Sequence, residues 1–206
     1  MQQNFSQLSV TDYGSVLGKE HFMHFSIQPL WQNMPSIFGP AFTVQLVSGD
    51  NLMLHAAIYE APEGSIIVVD AGDDSLAVAG GNVCAVAKER GIKGFIIDGV
   101  IRDLGEITQM AFPVYAKGVF PVPGNKTVYS ELARPIVCGG VSVSTGDIVI
   151  ADKEGVAILP NDIAHSVYEK ALLKAQKESD MSLGEWRHSH QLKIKQALSK
   201  AQPEGS

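Results

Sequence analysis

The sequence contains few cysteines and few charges. Cys84 and Cys138 are the only cysteines among 206 residues, and Asp, Glu, Lys and Arg together make up 18% of the chain. Two cysteines supply neither a disulfide framework nor a four-cysteine zinc site, so we interpret both as reduced thiols of a cytoplasmic protein. Acidic residues outnumber basic ones, 22 to 16, and the net charge of −6 gives no basic footprint for nucleic acid.

Long apolar runs are also missing. No run approaches the roughly 20 residues of a membrane span, and the N-terminal residues lack the charged and apolar blocks of a signal peptide. The sequence shows neither an internal repeat nor a low-complexity linker. We therefore expect neither a membrane nor nucleic acid as a partner.

The chain does contain a hydrophobic fraction of 45%, which is enough for a buried core. Residues 1–160 are predicted to form a single α/β domain that begins with an irregular segment. Residues 161–206 are predicted to be a helical extension, with Ile163, Val167 and Ala171 on one apolar stripe. Two interpretations stay open: the extension packs on its own domain, or it is an arm that packs on a neighbouring subunit.

Apolar, β-branched runs alternate with helical segments in the middle of the chain. Continuous apolar runs such as 65–70 and 94–98 are typical of strands buried on both faces. The order starts as strand, helix, strand, helix, strand and ends in consecutive strands, which predicts a layered α/β domain with a mixed sheet. The predicted strands are 42–47, 65–70, 94–98, 114–116, 136–143, 148–151 and 156–159, and the predicted helices are 11–17, 52–59 and 82–90.

The segment Gly80-Gly81-Asn82-Val83 stands where a loop enters a predicted helix after a strand. Free backbone N–H groups and the helix dipole at such a position favour an anion, and glycine lets a ligand approach the backbone closely. The alternative is a tight turn whose glycines supply positive φ. The pattern is neither G-x-G-x-x-G nor G-x-x-x-x-G-K-[ST], so neither a dinucleotide site nor a P-loop is indicated.

A second candidate is the pair Arg102-Asp103, which follows a predicted buried strand. Open α/β sheets place ligands beyond the carboxyl ends of their strands. Arginine binds carboxylates bidentately, and aspartate offers the hard oxygen that Mg²⁺ prefers. Glu106 faces the same way if a helix starts at Asp103, and it could then hold a metal-bound water. The alternative is a surface salt bridge, worth about 0–1 kcal/mol.

Taken together, the two candidates suit a small 2-oxo acid. The amides of residues 80–83 and Arg102 would bind its carboxylate, while a metal on Asp103 and Arg102 would polarise its 2-oxo oxygen. Such polarisation stabilises the enolate that cleavage of a carbon–carbon bond next to a carbonyl requires.

Several other side chains carry weaker signals. His55 lies on a predicted helix and is interpreted as a structural histidine. Lys88, Lys93 and Lys117 could form a Schiff base in principle, but none lies in an evidently apolar segment, so an imine mechanism has little support. Lys126, followed by a threonine, imitates the end of a P-loop without its glycines.

The motifs as a set resemble the regulator of ribonuclease activity A family. The resemblance covers roughly residues 8–175 and rests on segments 38–44, 80–83, 97–103, 112–116 and 146–156. It implies an α/β/β-type sandwich resembling swivelling phosphohistidine domains, assembled as homotrimers or hexamers. The family includes 4-hydroxy-4-methyl-2-oxoglutarate aldolases, which also decarboxylate oxaloacetate, and inhibitors of ribonuclease E.

The resemblance also implies roles for particular residues. Arg102 would bind substrate, Asp103 would bind Mg²⁺ or Mn²⁺, and the loop Gly80, Gly81, Asn82, Val83 would bind the substrate carboxylate. The expected activity is that of a class II, metal-dependent pyruvate aldolase or oxaloacetate decarboxylase. One departure matters, because active relatives generally carry an aspartate at the position of Gly81. The alternatives are therefore a non-catalytic regulator that acts by protein binding and an idle paralogue that still binds carboxylates.

Overall fold

The computed structural model describes residues 5–201. Short 3₁₀ turns at Phe5–Gln7 and Lys19–His21 flank the first α-helix. The strands are β1 Gln28–Pro29, β2 Ile37–Gln45, β3 Ile66–Asp70, β4 Gly94–Ile101, β5 Val114–Val119, β6 Ile136–Cys138, β7 Val141–Val143, β8 Ile148–Asp152 and β9 Gly155–Leu159. The helices are α1 Val10–Tyr13, α2 Leu52–Glu60, α3 Gly81–Glu89, α4 Leu104–Gln109, α5 Ala164–Ser179 and α6 Leu183–Ala201.

Seven of the strands form one mixed sheet in the order β1-β5-β4-β3-β2-β8-β9. The neighbours from β2 to β5 run parallel, whereas β1, β8 and β9 join antiparallel. The β2 strand serves both parts of the sheet, since its first half pairs with β8 and its second half with β3. The predicted mixed α/β fold is confirmed.

The core consists of layers on the two faces of the parallel strands. In β3, Ile67 and Val69 pack toward helices α2 and α3, because they share a cluster with residues of those helices. The alternate residues Ile66 and Val68 pack toward the β6–β7 hairpin and strands β8 and β9. A third cluster joins the outer face of β8 and β9 to α1 and α5. The likeness to swivelling phosphohistidine domains stays a prediction.

Apart from shifts in strand ends, two predicted elements differ from the structure. The strand expected over 136–143 is a hairpin, because Gly139 and Gly140 both adopt positive φ and turn the chain between β6 and β7. The helix expected over 11–17 is shorter and occupies Val10–Tyr13. It begins at a capping box formed by Ser9 and Asp12.

The two C-terminal helices pack differently. Helix α5 buries Val167 and Ala171 of the predicted stripe against β8, β9 and α1, whereas α6 buries none of its side chains. The predicted trimer or hexamer and the division at residue 160 stay predictions. Among residues 5–201, no helix combines the length and the apolarity that crossing a bilayer requires.

Candidate active site

A cavity of about 170 Å³ lies where β4 ends and α3 begins. Pockets for drug-sized ligands are larger, roughly 300–1,000 Å³, so this cavity suits a small molecule of few heavy atoms. We call the side formed by Gly80, Asn82, Val83, Arg102 and Asp103 the near wall, and the side formed by Asn51, His55 and Lys126 the far wall. The lining residues are Asn51, His55, Ala77, Val78, Ala79, Gly80, Asn82, Val83, Arg102, Asp103, Pro123 and Lys126.

The near wall is assembled by backbone pairing between two loops. Ala79 pairs with Ile101 as a short parallel bridge, and the Arg102 N–H donates to the Ala79 carbonyl at 2.9 Å. This pairing brings the residues after β4 beside the residues before α3. The two candidates that the sequence suggested separately therefore lie in one site.

Asp103 has a strained backbone and an unusual hydrogen bond. Its φ of 59° and ψ of 38° lie in the left-handed region, which non-glycine residues rarely adopt. It is the N-cap of α4 but makes no side-chain cap there. Its Oδ2 instead accepts from the Gly81 N–H at 3.1 Å and lies 3.4 Å from Arg102 Nε. The carboxylate is thus held at the cavity rather than at its own helix.

Gly80 and Gly81 provide room for two carboxylates. A Cβ at Gly80 would stand 2.5 Å from Asp103 Oδ2, and a Cβ at Gly81 would overlap Glu106 Oε2. Gly80 has an extended backbone with φ −153°, and Gly81 begins α3. The alternative that this pair supplies positive φ for a tight turn is therefore wrong. Glu106 lies on α4 with its carboxylate over Gly81, outside the cavity lining, and its predicted role stays a prediction.

The first turn of α3 contributes backbone N–H groups to the near wall, and Cys84 lies buried behind it. Asn82 and Val83 line the cavity, and first-turn N–H groups of a helix lack partners within that helix. Cys84, one turn further, is buried. Burial and, second, the nearby Asp103 carboxylate raise the pKa of its thiol to about 12. So high a pKa keeps the thiol protonated at neutral pH, which argues against Cys84 as a nucleophile.

The far wall was missed by the sequence analysis. His55 was interpreted as structural and Lys126 as an incomplete P-loop, yet both line the cavity together with Asn51. The pKa of His55 is lowered, first by burial, which disfavours the charged ring, and second by the positive charge of Lys126. His55 and Lys126 lie far apart in the sequence, so no local pattern relates them. The tertiary pairing of Asp50 with Asn125 brings the two segments together.

A divalent cation fits the near wall at Asp103, with the Glu106 carboxylate over the neighbouring Gly81. Asp103 and Glu106 both place oxygens over the glycine pair, and Mg²⁺ commonly takes one or two carboxylates and keeps several waters. Within the described ranges, no group of three or more His, Cys, Asp or Glu residues could enclose an ion. The donor set therefore suits a hydrated hard cation and does not resemble a closed structural site.

Lys117 is unsuited to an imine mechanism. Its Nζ lies 2.6 Å from Asp98 Oδ1, outside the cavity lining. The hydrogen bond to Asp98 raises the pKa of Lys117, whereas a Schiff-base lysine needs a lowered one. Lys93 is likewise engaged, donating to the Phe38 carbonyl at 2.9 Å.

Comparison with known proteins gives matches over most of the chain. The model of the RraA-like family, described as Aldolase/RraA, matches residues 9–158. A protein of Halalkalibacterium halodurans, provisionally named 4-hydroxy-4-methyl-2-oxoglutarate aldolase, is 41% identical over 150 residues, which cover 72% of this chain and 71% of that protein. An uncharacterised protein of Methanocaldococcus jannaschii is 34% identical over 74% of each chain.

A solved structure extends the likeness to the fold. RraAS2 of Streptomyces coelicolor, titled an unusual member of the RNase ES inhibitor RraA protein family, superposes with a TM-score of 0.73 at 25% identity. The match covers 85% of this chain and 92% of that one. The relatives thus carry names of two kinds, an aldolase and a ribonuclease inhibitor.

Proposed function

Because the chain belongs to the RraA-like (Aldolase/RraA) family, we propose that it is a divalent-metal-dependent lyase that releases pyruvate from a small 2-oxo acid. The candidate substrates are 4-hydroxy-4-methyl-2-oxoglutarate, cleaved as an aldol, and oxaloacetate, cleaved by decarboxylation. The observation that carries the proposal is the convergence of Arg102, Asp103 and the first turn of α3 on one small cavity. The relative from Halalkalibacterium halodurans supports it by name.

The near wall binds the 2-oxo acid group in this proposal. The N–H groups of Asn82 and Val83, at the positive end of the α3 dipole, receive the substrate carboxylate. The Arg102 guanidinium donates to the same carboxylate and to the 2-oxo oxygen. The backbone bond to Ala79 fixes the main chain of Arg102 beside the cavity, and its Nε lies 3.4 Å from Asp103 Oδ2.

Asp103, with Glu106 beside it, would hold Mg²⁺ or Mn²⁺. The bound cation would supply Lewis-acid polarisation of the 2-oxo group. During cleavage the bond between C3 and C4 breaks, and its electron pair moves to C3 and is delocalised onto the 2-oxo oxygen. Arg102 stabilises this developing negative charge by a hydrogen bond that strengthens as the charge forms. In 4-hydroxy-4-methyl-2-oxoglutarate the 4-hydroxyl loses its proton as C4 becomes the carbonyl carbon of one pyruvate, and a proton returned to C3 gives the second pyruvate. In oxaloacetate C4 leaves as CO₂, and a proton from solvent at C3 gives pyruvate.

In this proposal the Glu106 carboxylate takes the place of the acidic side chain that position 81 lacks. Its carboxylate lies in the space above Gly81 into which a side chain at that position would project. A second carboxylate therefore stands near Asp103 although the sequence lacks the aspartate found in active relatives. This placement favours a lyase over a regulator that acts only by protein contact.

The test is pyruvate release from 4-hydroxy-4-methyl-2-oxoglutarate and from oxaloacetate, with Mg²⁺ and with a chelator. We expect metal-dependent turnover that Asp103→Ala abolishes while the melting temperature shows a folded protein. The matched control is Asp162→Ala, which removes an exposed carboxylate outside the cavity lining and leaves turnover intact.

Metal binding is measured independently, by calorimetric titration with Mn²⁺. Asp103→Ala should weaken it and Asp162→Ala should not. Wild-type protein that binds Mn²⁺ but releases no pyruvate from either substrate would contradict the proposed activity. In that case recovery of a ribonuclease in a pull-down would favour the regulator.

A further inference from the structure

The far wall of the cavity has polar groups with no role in the proposed binding of the 2-oxo acid group, which lies at the near wall. Asn51 precedes α2, His55 lies on α2 and Lys126 lies on a distant loop, yet all three line the same 170 Å³ space as Arg102 and Asp103. A substrate whose 2-oxo acid group lies on the near wall must extend its remaining atoms toward these residues. Their chemistry therefore bears on which substrate is accepted.

Asn51 carries an unsatisfied acceptor. The residue is only 3% exposed, and its Oδ1 has no hydrogen-bond partner among the residues that the structure describes. Asparagine at an N-cap usually bonds to the first turn of its helix, but Asn51 makes no such bond at α2. The Asp50 Oδ1 takes the Leu52 N–H instead, at 2.9 Å. A buried acceptor without a donor costs free energy, and a donor on a ligand would remove that cost.

Lys126 is exposed, but its backbone is fixed. On one side, the Asn51 N–H donates to the Asn125 carbonyl at 2.7 Å. On the other side, the N–H and Oγ1 of Thr127 donate to Asp50 Oδ2 at 2.7 and 2.9 Å. The loop is therefore clamped to the start of α2, and the ammonium group is confined to the region of the far wall.

Asp50 remains an anion in this clamp. Burial raises the pKa of its carboxyl, but the hydrogen bonds from Leu52, Thr127 and Val128 together lower the pKa by more than burial raises it. The net shift is therefore downward. Because its oxygens accept these bonds, the Asp50 carboxylate does not form an ion pair with Lys126, and the ammonium group stays available to an anion in the cavity. The far wall thus offers one free cation and one free acceptor.

We propose that Lys126 and Asn51 are specificity residues for the part of the substrate beyond the 2-oxo acid group. Lys126 binds a second carboxylate, and Asn51 Oδ1 accepts a hydrogen bond from a substrate hydroxyl. His55, kept neutral beside Lys126, leaves that lysine as the cation of the far wall. This assignment rests on the proposed function, since it requires the 2-oxo acid group to lie on the near wall.

The test compares two stable ligands that share the 2-oxo acid group. Pyruvate lacks a second carboxylate and 2-oxoglutarate has one, so calorimetric titration with each, in the presence of Mg²⁺, isolates the far wall. Lys126→Met should weaken 2-oxoglutarate about tenfold, the scale of one charge-assisted contact at a partly exposed site. Pyruvate affinity should not change. Lys126→Arg should restore most of the loss, and Lys153→Met, an exposed lysine elsewhere, is the control.

The outcomes separate this assignment from the proposed function. Wild-type protein that binds both ligands equally, or a Lys126→Met variant that loses both alike, overturns the assignment alone. Wild-type protein that binds neither ligand overturns the proposed function together with it. For Asn51, the Asn51→Ala variant should lose turnover of 4-hydroxy-4-methyl-2-oxoglutarate more than turnover of oxaloacetate, which has no hydroxyl. An equal loss on both substrates would contradict the role of its Oδ1.

Discussion

Two acid–base pairs lie close together at the end of β4, and they are built for different purposes. In Lys117–Asp98 the Nζ and Oδ1 atoms are 2.6 Å apart, and the other carboxylate oxygen accepts from the Gly139 N–H at 2.8 Å. In Arg102–Asp103 the Nε and Oδ2 atoms are 3.4 Å apart, and both residues line a cavity. The first pair is closed on itself, whereas the second leaves its charges available to a ligand.

The local backbone explains the difference. The register between β4 and β5 shifts between Ile97 and Val100, and this irregularity seats Lys117 of β5 against Asp98. Gly99 lies within this irregular stretch, and a Cβ at that position would stand 2.5 Å from Ala71 Cβ. Beyond the bulge Val100 and Ile101 still pair with β5, and the chain then leaves the sheet and turns at Asp103, which is left-handed. One short segment thus provides a structural pair inside the sheet and a reactive pair outside it.

The largest effect should come from breaking the open pair. Arg102→Ala removes a donor to the developing charge, and loss of such a donor typically reduces kcat by about 10²–10³. Steady-state pyruvate release measures this effect. The comparison variant is Lys117→Met, which should keep kcat/KM close to wild type. Equal losses in the two variants would mean that the pairs do not differ in function.

Breaking the closed pair should instead lower stability. Asp98→Asn leaves Lys117 and the Gly139 N–H with a weaker acceptor, and we expect the free energy of unfolding to fall by about 1–2 kcal/mol, discounted because both side chains are partly exposed. Urea unfolding followed by circular dichroism gives this number. Asp162→Asn, at an exposed site, should stay within about 0.5 kcal/mol of wild type. A destabilisation no larger than that of the control would contradict a structural role.

The smallest effect should appear at the glycine pair. In Gly81→Ala the new Cβ displaces the Glu106 carboxylate, while Gly105→Ala, on α4, meets open space. We expect Mn²⁺ affinity to fall about threefold to tenfold in the first variant, comparable with loss of an outer-shell partner. The second should bind Mn²⁺ as wild type does. Unchanged affinity in Gly81→Ala would remove Glu106 from the proposed metal site.

The elements with strong local signals were predictable. The helix expected over 52–59 is found at Leu52–Glu60, and the buried strand expected over 65–70 is found at Ile66–Asp70. The predicted strand over 94–98 continues to Ile101, beyond Asp98, where it was expected to end. Bulges and strand extensions depend on the neighbouring strand, so hydrophobic periodicity alone does not reveal them.

In the site, too, residues close together in the sequence were predictable, whereas residues brought together by long-range pairing were not. The positions of Arg102, Asp103 and Glu106 follow from their spacing near one strand end, and the sequence analysis placed them together. Asn51 and Lys126 lie on segments far apart in the chain and meet through the backbone bond from the Asn51 N–H to Asn125. No local pattern encodes such a long-range pairing. The predicted roles of all these residues stay predictions until the variants are measured.

At Asp103, which has a left-handed backbone, selection for stability and selection for the proposed activity favour different residues. Glycine would relieve that conformation, and asparagine tolerates it well, so a library screened for thermal stability alone should enrich both at this position. Each would remove the carboxylate's negative charge from the cavity. The protein therefore keeps an aspartate in a backbone conformation that favours glycine and asparagine, at the point where β4 leads into α4. A stabilised version of the scaffold would have to keep Asp103 by design, because the backbone conformation alone favours its replacement.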